Sequence, residues 1–208
     1  MSEIATLREA LVDEVKDLYN AEKQLLKALP KLAKNATNPK LREALMSHLG
    51  ETEGQIGRLE QVFRLLDEKP KGKLCDGMQG IIEEGNKKIE EVEEGAVLDA
   101  CIIAGGQRAE HYEMASYGTC IAWAEALGLD DVASLLQQTL AEEKAADQKL
   151  SAIAEAGVNE AATVGDEDDD EEAEEDDTPA ESRSTSTARV GAGKSASSGR
   201  SGRRNGGR

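Results

Sequence analysis

Apolar residues recur three, four or seven positions apart along most of the chain, and this spacing limits the possible folds more than any other feature. The first stretch shows it most clearly, with Ile4, Leu7, Leu11, Leu18, Leu25, Leu29 and Leu32. Such spacing places one apolar face along an α-helix. Only 2% of the residues are aromatic, and a core of Leu, Ile, Val and Ala suits helices better than sheets. The pattern predicts an all-α protein.

The breaks between the apolar runs predict how many helices there are and how they connect. Long runs cover residues 4–35, 39–68, 96–127 and 132–157, and a weaker run that contains glycine covers 76–93. Proline, glycine and asparagine at the breaks are typical of helix ends. Two long helical hairpins joined by a crossover with a short helix are the arrangement of ferritin-like four-helix bundles. We predict such a bundle over residues 1–163.

The character of the sequence changes after the last apolar run. Residues 165–177 read GDEDDDEEAEEDD, and the remainder consists mainly of Ser, Thr, Gly and Arg. Such a segment has too little apolar surface to offset the entropy that ordering would cost. We predict that residues 164–208 form a disordered tail, whose partner the sequence does not identify.

Composition excludes several classes of function for the predicted bundle. The net charge is −17 for the whole chain and −12 for residues 1–165, which contain 18 Lys and Arg and 30 Asp and Glu, and an acidic surface repels nucleic acid and anionic membranes. No apolar run is long enough to span a membrane, and the N-terminus shows no signal-peptide pattern. The three cysteines Cys75, Cys101 and Cys120 are widely spaced and odd in number, which is typical of reduced thiols. These features predict a cytoplasmic protein without a membrane or nucleic-acid partner.

Acidic and amide residues interrupt the apolar face near the middle of each long run. Burying an isolated carboxylate costs several kcal/mol, so four helices that do so at one level indicate a bound cation. Oxygen-rich ligation suits iron or manganese, and bundles of this kind hold two such ions. The predicted metal ligands are Glu22, Glu51, Glu110, Glu113, Glu143 and Asp147, with His48 and Gln55 as further ligands or supporting groups.

A simpler interpretation applies to each of these acids taken alone, because a surface carboxylate can face water or pair with a lysine. The alternative function is therefore a non-catalytic helical dimer that acts by protein–protein interaction. In that case the interior carboxylates are a relic, or a structural network with Arg108 and lysines. The coincidence on all four long helices is the observation that favours metal binding.

Four ordered segments resemble the YciF-like ferritin-like stress proteins, a family long catalogued as a domain of unknown function. They are DLYNAEKQLLKALPKLA (17–33), HLGETEGQIGRLEQVF (48–63), AEHYEMASYGT (109–119) and LAEEKAADQKL (140–150). The third segment is more distantly similar to the third helix of rubrerythrins, where a Glu-x-x-Glu supplies two metal ligands. That resemblance implies Glu110 and Glu113 as ligands, with Glu22 as the single glutamate of the first helix.

The resemblance also implies a homodimer and a role in stress tolerance, but it supplies no reaction. Fe(II) oxidation or peroxide removal is the chemistry that the predicted two-metal site would support. The sequence departs from rubrerythrins and ferritins in one respect, because both Glu-x-x-His motifs are missing. Gly54 stands three residues after Glu51, and Ala146 stands three residues after Glu143. The resemblance therefore predicts metal binding and leaves open whether the protein is an enzyme.

Overall fold

The computed structural model describes residues 4–164, and every regular element in that range is helical. The two longest helices have 29 and 31 residues. A π-helical turn, Ala154–Val158, and a three-residue helix follow the last long helix. The main helices are α1 (Leu7–Asn35), α2 (Pro39–Leu65), α3 (Asp76–Glu91), α4 (Ala96–Ala126) and α5 (Asp130–Ile153).

The helix ends follow from local sequence signals. Thr6 caps α1 through a capping box, in which its side chain accepts from the Glu9 amide while the Glu9 carboxylate accepts from the Thr6 amide. Asn38 caps α2, and Pro39 occupies the first turn, where its missing N–H costs nothing. Gly128 adopts φ 70° between α4 and α5, a conformation that glycine reaches without strain. These short breaks make each pair of long helices a hairpin.

The four long helices form the bundle, and α3 covers one side of it. Helices α1 and α2 pack together, as do α4 and α5; α2 also contacts α5, and α3 contacts α4 and α1. The predicted all-α four-helix bundle of two hairpins with a short crossover helix is confirmed. No helix of residues 4–164 is both long and apolar enough to cross a membrane. The predicted tail lies outside the described residues from residue 165 onward.

Two apolar clusters fill the bundle, one toward each end, and a smaller third cluster lies where α3 packs on α1 and α4. Each long helix contributes to both end clusters. The first cluster includes Leu11, Val15, Leu18, Leu59, Phe63, Tyr117 and Leu136. The second includes Leu29, Leu41, Leu45, Ile102, Ile103, Leu150 and Ile153. The middle turns of all four long helices therefore meet between the clusters, and they bring their polar side chains to a single level.

Candidate metal centre

The layer between the apolar clusters consists of buried polar side chains from all four long helices. None of its six main members is more than 6% exposed. Helix α1 contributes one, α2 two, α4 two and α5 one. They are Glu22, His48, Gln55, Glu110, Glu113 and Glu143.

Four of these side chains have the geometry of a metal-ligating group. His48, Glu110, Glu113 and Glu143 each place one ligand atom so that all four atoms lie within 4.8 Å of one another. His48 Nε2 is 3.4 Å from Glu110 Oε1 and 3.8 Å from Glu143 Oε2. Nitrogen and oxygen ligands bind a transition-metal ion such as zinc at about 2.0–2.2 Å. Ligand atoms that lie within 4.8 Å of one another can therefore share one ion. Three helices thus converge on one point.

Most oxygen atoms of the layer have no hydrogen-bond partner. Seven buried side-chain oxygens of the described residues lack one. A buried polar group without a partner typically costs about 1–3 kcal/mol, and more if it is charged, so such groups are rare in folded proteins. The atoms are Glu22 Oε2, Gln55 Oε1, Glu110 Oε2, both oxygens of Glu113 and both oxygens of Glu143.

Burial without a salt-bridge partner from lysine or arginine raises the pKa values of the carboxyl groups in the layer. Burial is the main cause that raises the pKa of Glu110 to about 7 and the pKa of Glu143 to about 9. Burial, followed by repulsion between neighbouring carboxylates, raises the pKa of Glu22 and of Glu113 well above the usual value. The protein therefore holds protons among these carboxylates unless a cation replaces them.

No lysine or arginine within residues 4–164 forms a salt bridge with Glu22, Glu110, Glu113 or Glu143. Among the described residues, His48 is the one potentially cationic side chain within 4 Å of these carboxylates, at Glu110 and Glu143. Its Nδ1 lies 3.4 Å from Glu51 Oε2. In the tautomer that carries its proton on Nδ1, the Nε2 lone pair faces the carboxylates, as metal-bound histidines require. The donor set of one imidazole and several carboxylates fits iron or manganese.

Further contacts fix the orientation of the layer on the side of α1 and α2. Tyr117 donates its hydroxyl hydrogen to Glu22 Oε1 at 2.5 Å. Gln55 donates from Nε2 to Glu142 Oε2 at 3.2 Å, which directs its unpartnered Oε1 elsewhere. Glu142 is in turn held by Arg58, with 2.7 Å between Arg58 Nη2 and Glu142 Oε1. These neighbours hold the side chains in place without neutralising the interior carboxylates.

The structure brings together four of the six sequence-predicted ligands, Glu22, Glu110, Glu113 and Glu143, as well as His48 and Gln55. Glu51 lies beside His48, but its side chain is 42% exposed. Asp147 contacts His111 Nε2 at 3.3 Å and Gln107 Nε2 at 3.2 Å instead. Four residues along a helix advance the direction by about 40°, and this offset separates Asp147 from the buried Glu143. The ligand roles of all these residues stay predictions.

Sequence reasoning did not identify the supporting contacts. The hydrogen bond from Tyr117 to Glu22 joins α4 to α1, and only the structure shows it. The pair Arg58–Glu142 was not expected, although Glu142 directly precedes a candidate ligand. No salt bridge between Arg108 and the interior carboxylates occurs in the described residues, so the network form of the alternative function is not seen there, while the relic form is untested. The arginine pair beside the layer is Arg58–Glu142. The sequence offered one signal for this pair, because Glu142 is a polar residue one position away from the apolar face of its helix.

A protein-family model described as a domain of unknown function, DUF892, matches residues 6–163. Protein YciF of Escherichia coli K12 is 47% identical over 158 residues, which cover 76% of this chain and 95% of that protein.

Solved structures give the same relationship. The crystal structure of the E. coli stress protein YciF aligns with a TM-score of 0.72 at 46% identity, over 75% of this chain and 99% of that one. The protein YcfI from Rhodopseudomonas palustris aligns with a TM-score of 0.71 at 48% identity, over 72% and 95%. A protein from Xanthomonas campestris, at 22% identity and a TM-score of 0.58, shares the fold alone. On the match to the family model and to YciF, the chain belongs to the YciF-like family of the domain DUF892.

Proposed function

We propose that this protein is a ferritin-like stress protein that binds two iron or manganese ions in the polar layer of its bundle. The observation that carries the proposal is the set of seven buried oxygens without a partner, next to a four-residue ligating group. Protons alone would satisfy few of these oxygens. A cation would satisfy several at once and would supply a direct positive partner, since no lysine or arginine of residues 4–164 forms a salt bridge with these carboxylates.

His48, Glu110, Glu113 and Glu143 hold the first ion in this proposal, because their ligand atoms already lie together. Glu22 Oε2 and Gln55 Oε1 remain without partners beyond that group, and they supply donors for the second ion. Two ions that share carboxylates commonly lie about 3.5–4 Å apart. Glu51 and Asp147 remain candidate ligands at the edge of the layer.

Iron or manganese bound there would supply one-electron chemistry, so Fe(II) oxidation and peroxide removal are the activities we propose to assay. The chain's own residues bind and orient the ions and exclude water from them. Tyr117 keeps Glu22 in position, and His48 is held by Glu51 on the side away from the site. The chain lacks both Glu-x-x-His motifs. The proposal therefore concerns metal binding first, and the assays decide whether the bound metal is catalytic.

Elemental analysis and a metal titration test the binding. Protein stripped with a chelator should melt at a lower temperature, and Mn(II), or Fe(II) without oxygen, should restore the loss. Ligand at a hundred times its dissociation constant stabilises a protein by about 2.7 kcal/mol. We expect a stoichiometry of two ions per chain in wild-type protein. Unchanged melting with both metals, together with no retained metal, would refute the proposal and leave the non-catalytic dimer.

Variants assign the ligands. Glu143→Gln and Glu113→Gln should lower the metal content, whereas Glu53→Gln on the exposed face of α2 is a matched control that should not. Glu51→Gln and Asp147→Asn test the two candidates at the edge. Metal content equal to wild type in either variant removes that residue from the ligand set, and wild-type content in Glu143→Gln contradicts the site as a whole.

The cellular setting is part of the same proposal. We place the protein in the cytoplasm because its three cysteines are free, and we assign a stress role because the solved relative is titled a stress protein. A homodimer is the proposed assembly, and sedimentation equilibrium measures it directly. Fractionation of cells before and after osmotic or oxidative stress tests location and induction together.

A further inference from the structure

The metal centre is closed to solvent in this conformation. Its unpartnered oxygens, which include those of Glu110, Glu113 and Glu143, are all buried. An ion in solution therefore cannot reach these ligands unless a side chain at the edge of the layer moves. Filling the site requires a route that opens.

The layer comes nearest to solvent at His48. Glu113 and Glu143 are completely buried, whereas His48 remains 6% exposed. On its outer side, His48 Nδ1 lies 3.4 Å from Oε2 of Glu51, whose side chain is 42% exposed. On its inner side, His48 Nε2 lies 3.4 Å from Glu110 Oε1. His48 thus separates an exposed carboxylate from the buried ligands.

The groove between α2 and α5 is closed at the level of Arg58. Arg58 Nη1 donates to Thr139 Oγ1 at 2.6 Å, and Arg58 Nη2 donates to Glu142 Oε1 at 2.7 Å. These contacts bridge the two helices. The guanidinium also repels any cation that approaches here, so this part of the groove does not suit the entry of a metal ion.

The same groove is open further along, where Ala146 faces Glu51. From the contact of Arg58 with Thr139, three residues back along α2 and three forward along α5, Gln55 donates to Glu142, so the two helices are antiparallel. Four more residues in each direction place Ala146 opposite Glu51. Ala146 stands where a Glu-x-x-His motif would have its histidine. A methyl group instead of a ring leaves the groove open at this level.

An empty space adjoins His48 at the open part of the groove. Its volume is about 120 Å³, and both Glu51 and Ala146 border it together with His48. A water-sized group needs roughly 10–15 Å³ of such volume, so the space holds about eight to twelve such groups. An imidazole has five ring atoms. The ring of His48 therefore has room to move without displacing its neighbours.

His48 is also held less firmly than the other side chains that close the layer. Its contacts with Glu51 and Glu110 are both 3.4 Å long, beyond the usual 2.7–3.2 Å of a nitrogen–oxygen hydrogen bond. Tyr117, by contrast, donates to Glu22 at 2.5 Å. A side chain with long contacts and free space beside it can change rotamer at low cost.

We propose that divalent cations enter the metal centre through the groove between α2 and α5. Glu51 is the first carboxylate that they meet, and His48 is the side chain that swings aside to admit them. The imidazole then returns and binds the ion through Nε2. This inference rests on the proposed function and adds the route by which the site fills. It predicts that the groove controls the rate of loading and not the final metal content.

Stopped-flow loading of chelator-treated protein with Mn(II) tests the route, with a metallochromic indicator that reports free Mn(II). Ala146→Leu narrows the groove opposite Glu51 and should slow loading at least tenfold, while the metal content after equilibration stays at the wild-type value. Ala141→Leu is the matched control, because Ala141 is an exposed alanine of α5 that does not border the space. A wild-type loading rate in Ala146→Leu, or equal slowing in both variants, would overturn the proposal.

A charge change at the entrance gives a second test that leaves the packing intact. Lys149 borders the same space, is exposed, and forms no salt bridge in the described part of the chain. Lys149→Glu should speed Mn(II) loading severalfold at low salt, and high salt should remove the gain. Lys40→Glu makes the same charge change at an exposed residue about 16 Å from Glu51 along α2. Equal acceleration in both variants would show that the entrance assigned here is wrong.

Chemical labelling of His48 measures the opening without any metal. Diethyl pyrocarbonate modifies accessible imidazole nitrogens, and mass spectrometry of peptides separates His48 from His111, whose side chain is 66% exposed. In metal-free protein His48 should react more slowly than His111, and Ala146→Leu should slow only His48, at least tenfold. Equal labelling of His48 in wild type and Ala146→Leu, with both folded by circular dichroism, would overturn the role of His48 as the gate.

The results separate the two proposals. If wild-type protein binds no Mn(II) at equilibrium, the proposed function fails and the cation route fails with it. Normal final metal content, together with loading and labelling rates that Ala146→Leu does not change, refutes the route alone and leaves the metal centre in place.

Discussion

The unpaired carboxylates should make the metal-free protein lose stability as the pH rises. Burial raises the pKa of Glu110 from 4.5 to about 7. Between these two values the folded state holds a proton that the unfolded state has released. Because the folded state binds more protons, the free energy of unfolding must fall with rising pH in this window. The direction is opposite to that of a carboxylate stabilised by a salt bridge.

The magnitude follows from the same pKa values. A shift from 4.5 to about 7 corresponds to about 3 kcal/mol in total, of which about 2 kcal/mol is lost between about pH 5.5 and 8.5. Glu143, whose pKa is raised to about 9 mainly by burial, adds a loss of the same sign. Bound metal should abolish the trend, because it replaces the protons, and loading should release protons into the solution.

Urea denaturation of chelator-treated protein at several pH values measures the effect. Other ionisable groups also contribute, so the informative quantity is the difference between wild type and Glu110→Gln. The variant should lose about 2 kcal/mol less than wild type between about pH 5.5 and 8.5. Glu53→Gln, an exposed residue of α2, should behave like wild type. If wild-type stability were flat or rose over this range, the description of the layer as buried and uncompensated would be wrong.

Two further substitutions test contacts on which the fold and the site depend. Tyr117→Phe removes the hydroxyl that donates to Glu22 Oε1 and should destabilise the metal-free protein by about 1–3 kcal/mol, measured by urea denaturation; an unchanged midpoint would contradict the hydrogen bond. Asp99→Ala leaves the Thr37 and Asn38 amides of the α1–α2 connection without their acceptor, and a loss of about 2–4 kcal/mol is expected. Hydrogen exchange at these two amides should accelerate in the Asp99 variant, and unaltered exchange would refute that role.

The sequence by itself determined the helices and their order. The run of apolar residues, the Asn38–Pro39 start of α2 and Gly128 between α4 and α5 act over a few residues, so they can be interpreted without a neighbouring helix. The same logic found Glu22, Glu110, Glu113 and Glu143, because each interrupts an otherwise apolar face. Local signals are sufficient wherever one helix determines its own geometry.

Only the tertiary structure decided which polar residues face the interior together. Helix periodicity gives the direction of a side chain to within part of a turn, and that precision does not separate Glu143 from Asp147 or His48 from Glu51. Their burial depends on where the adjacent helix closes over them. The contact of Tyr117 with Glu22 joins residues 95 positions apart, and the group of His48, Glu110, Glu113 and Glu143 comes from three different helices. Such features belong to the packing between helices, which no single stretch of sequence specifies.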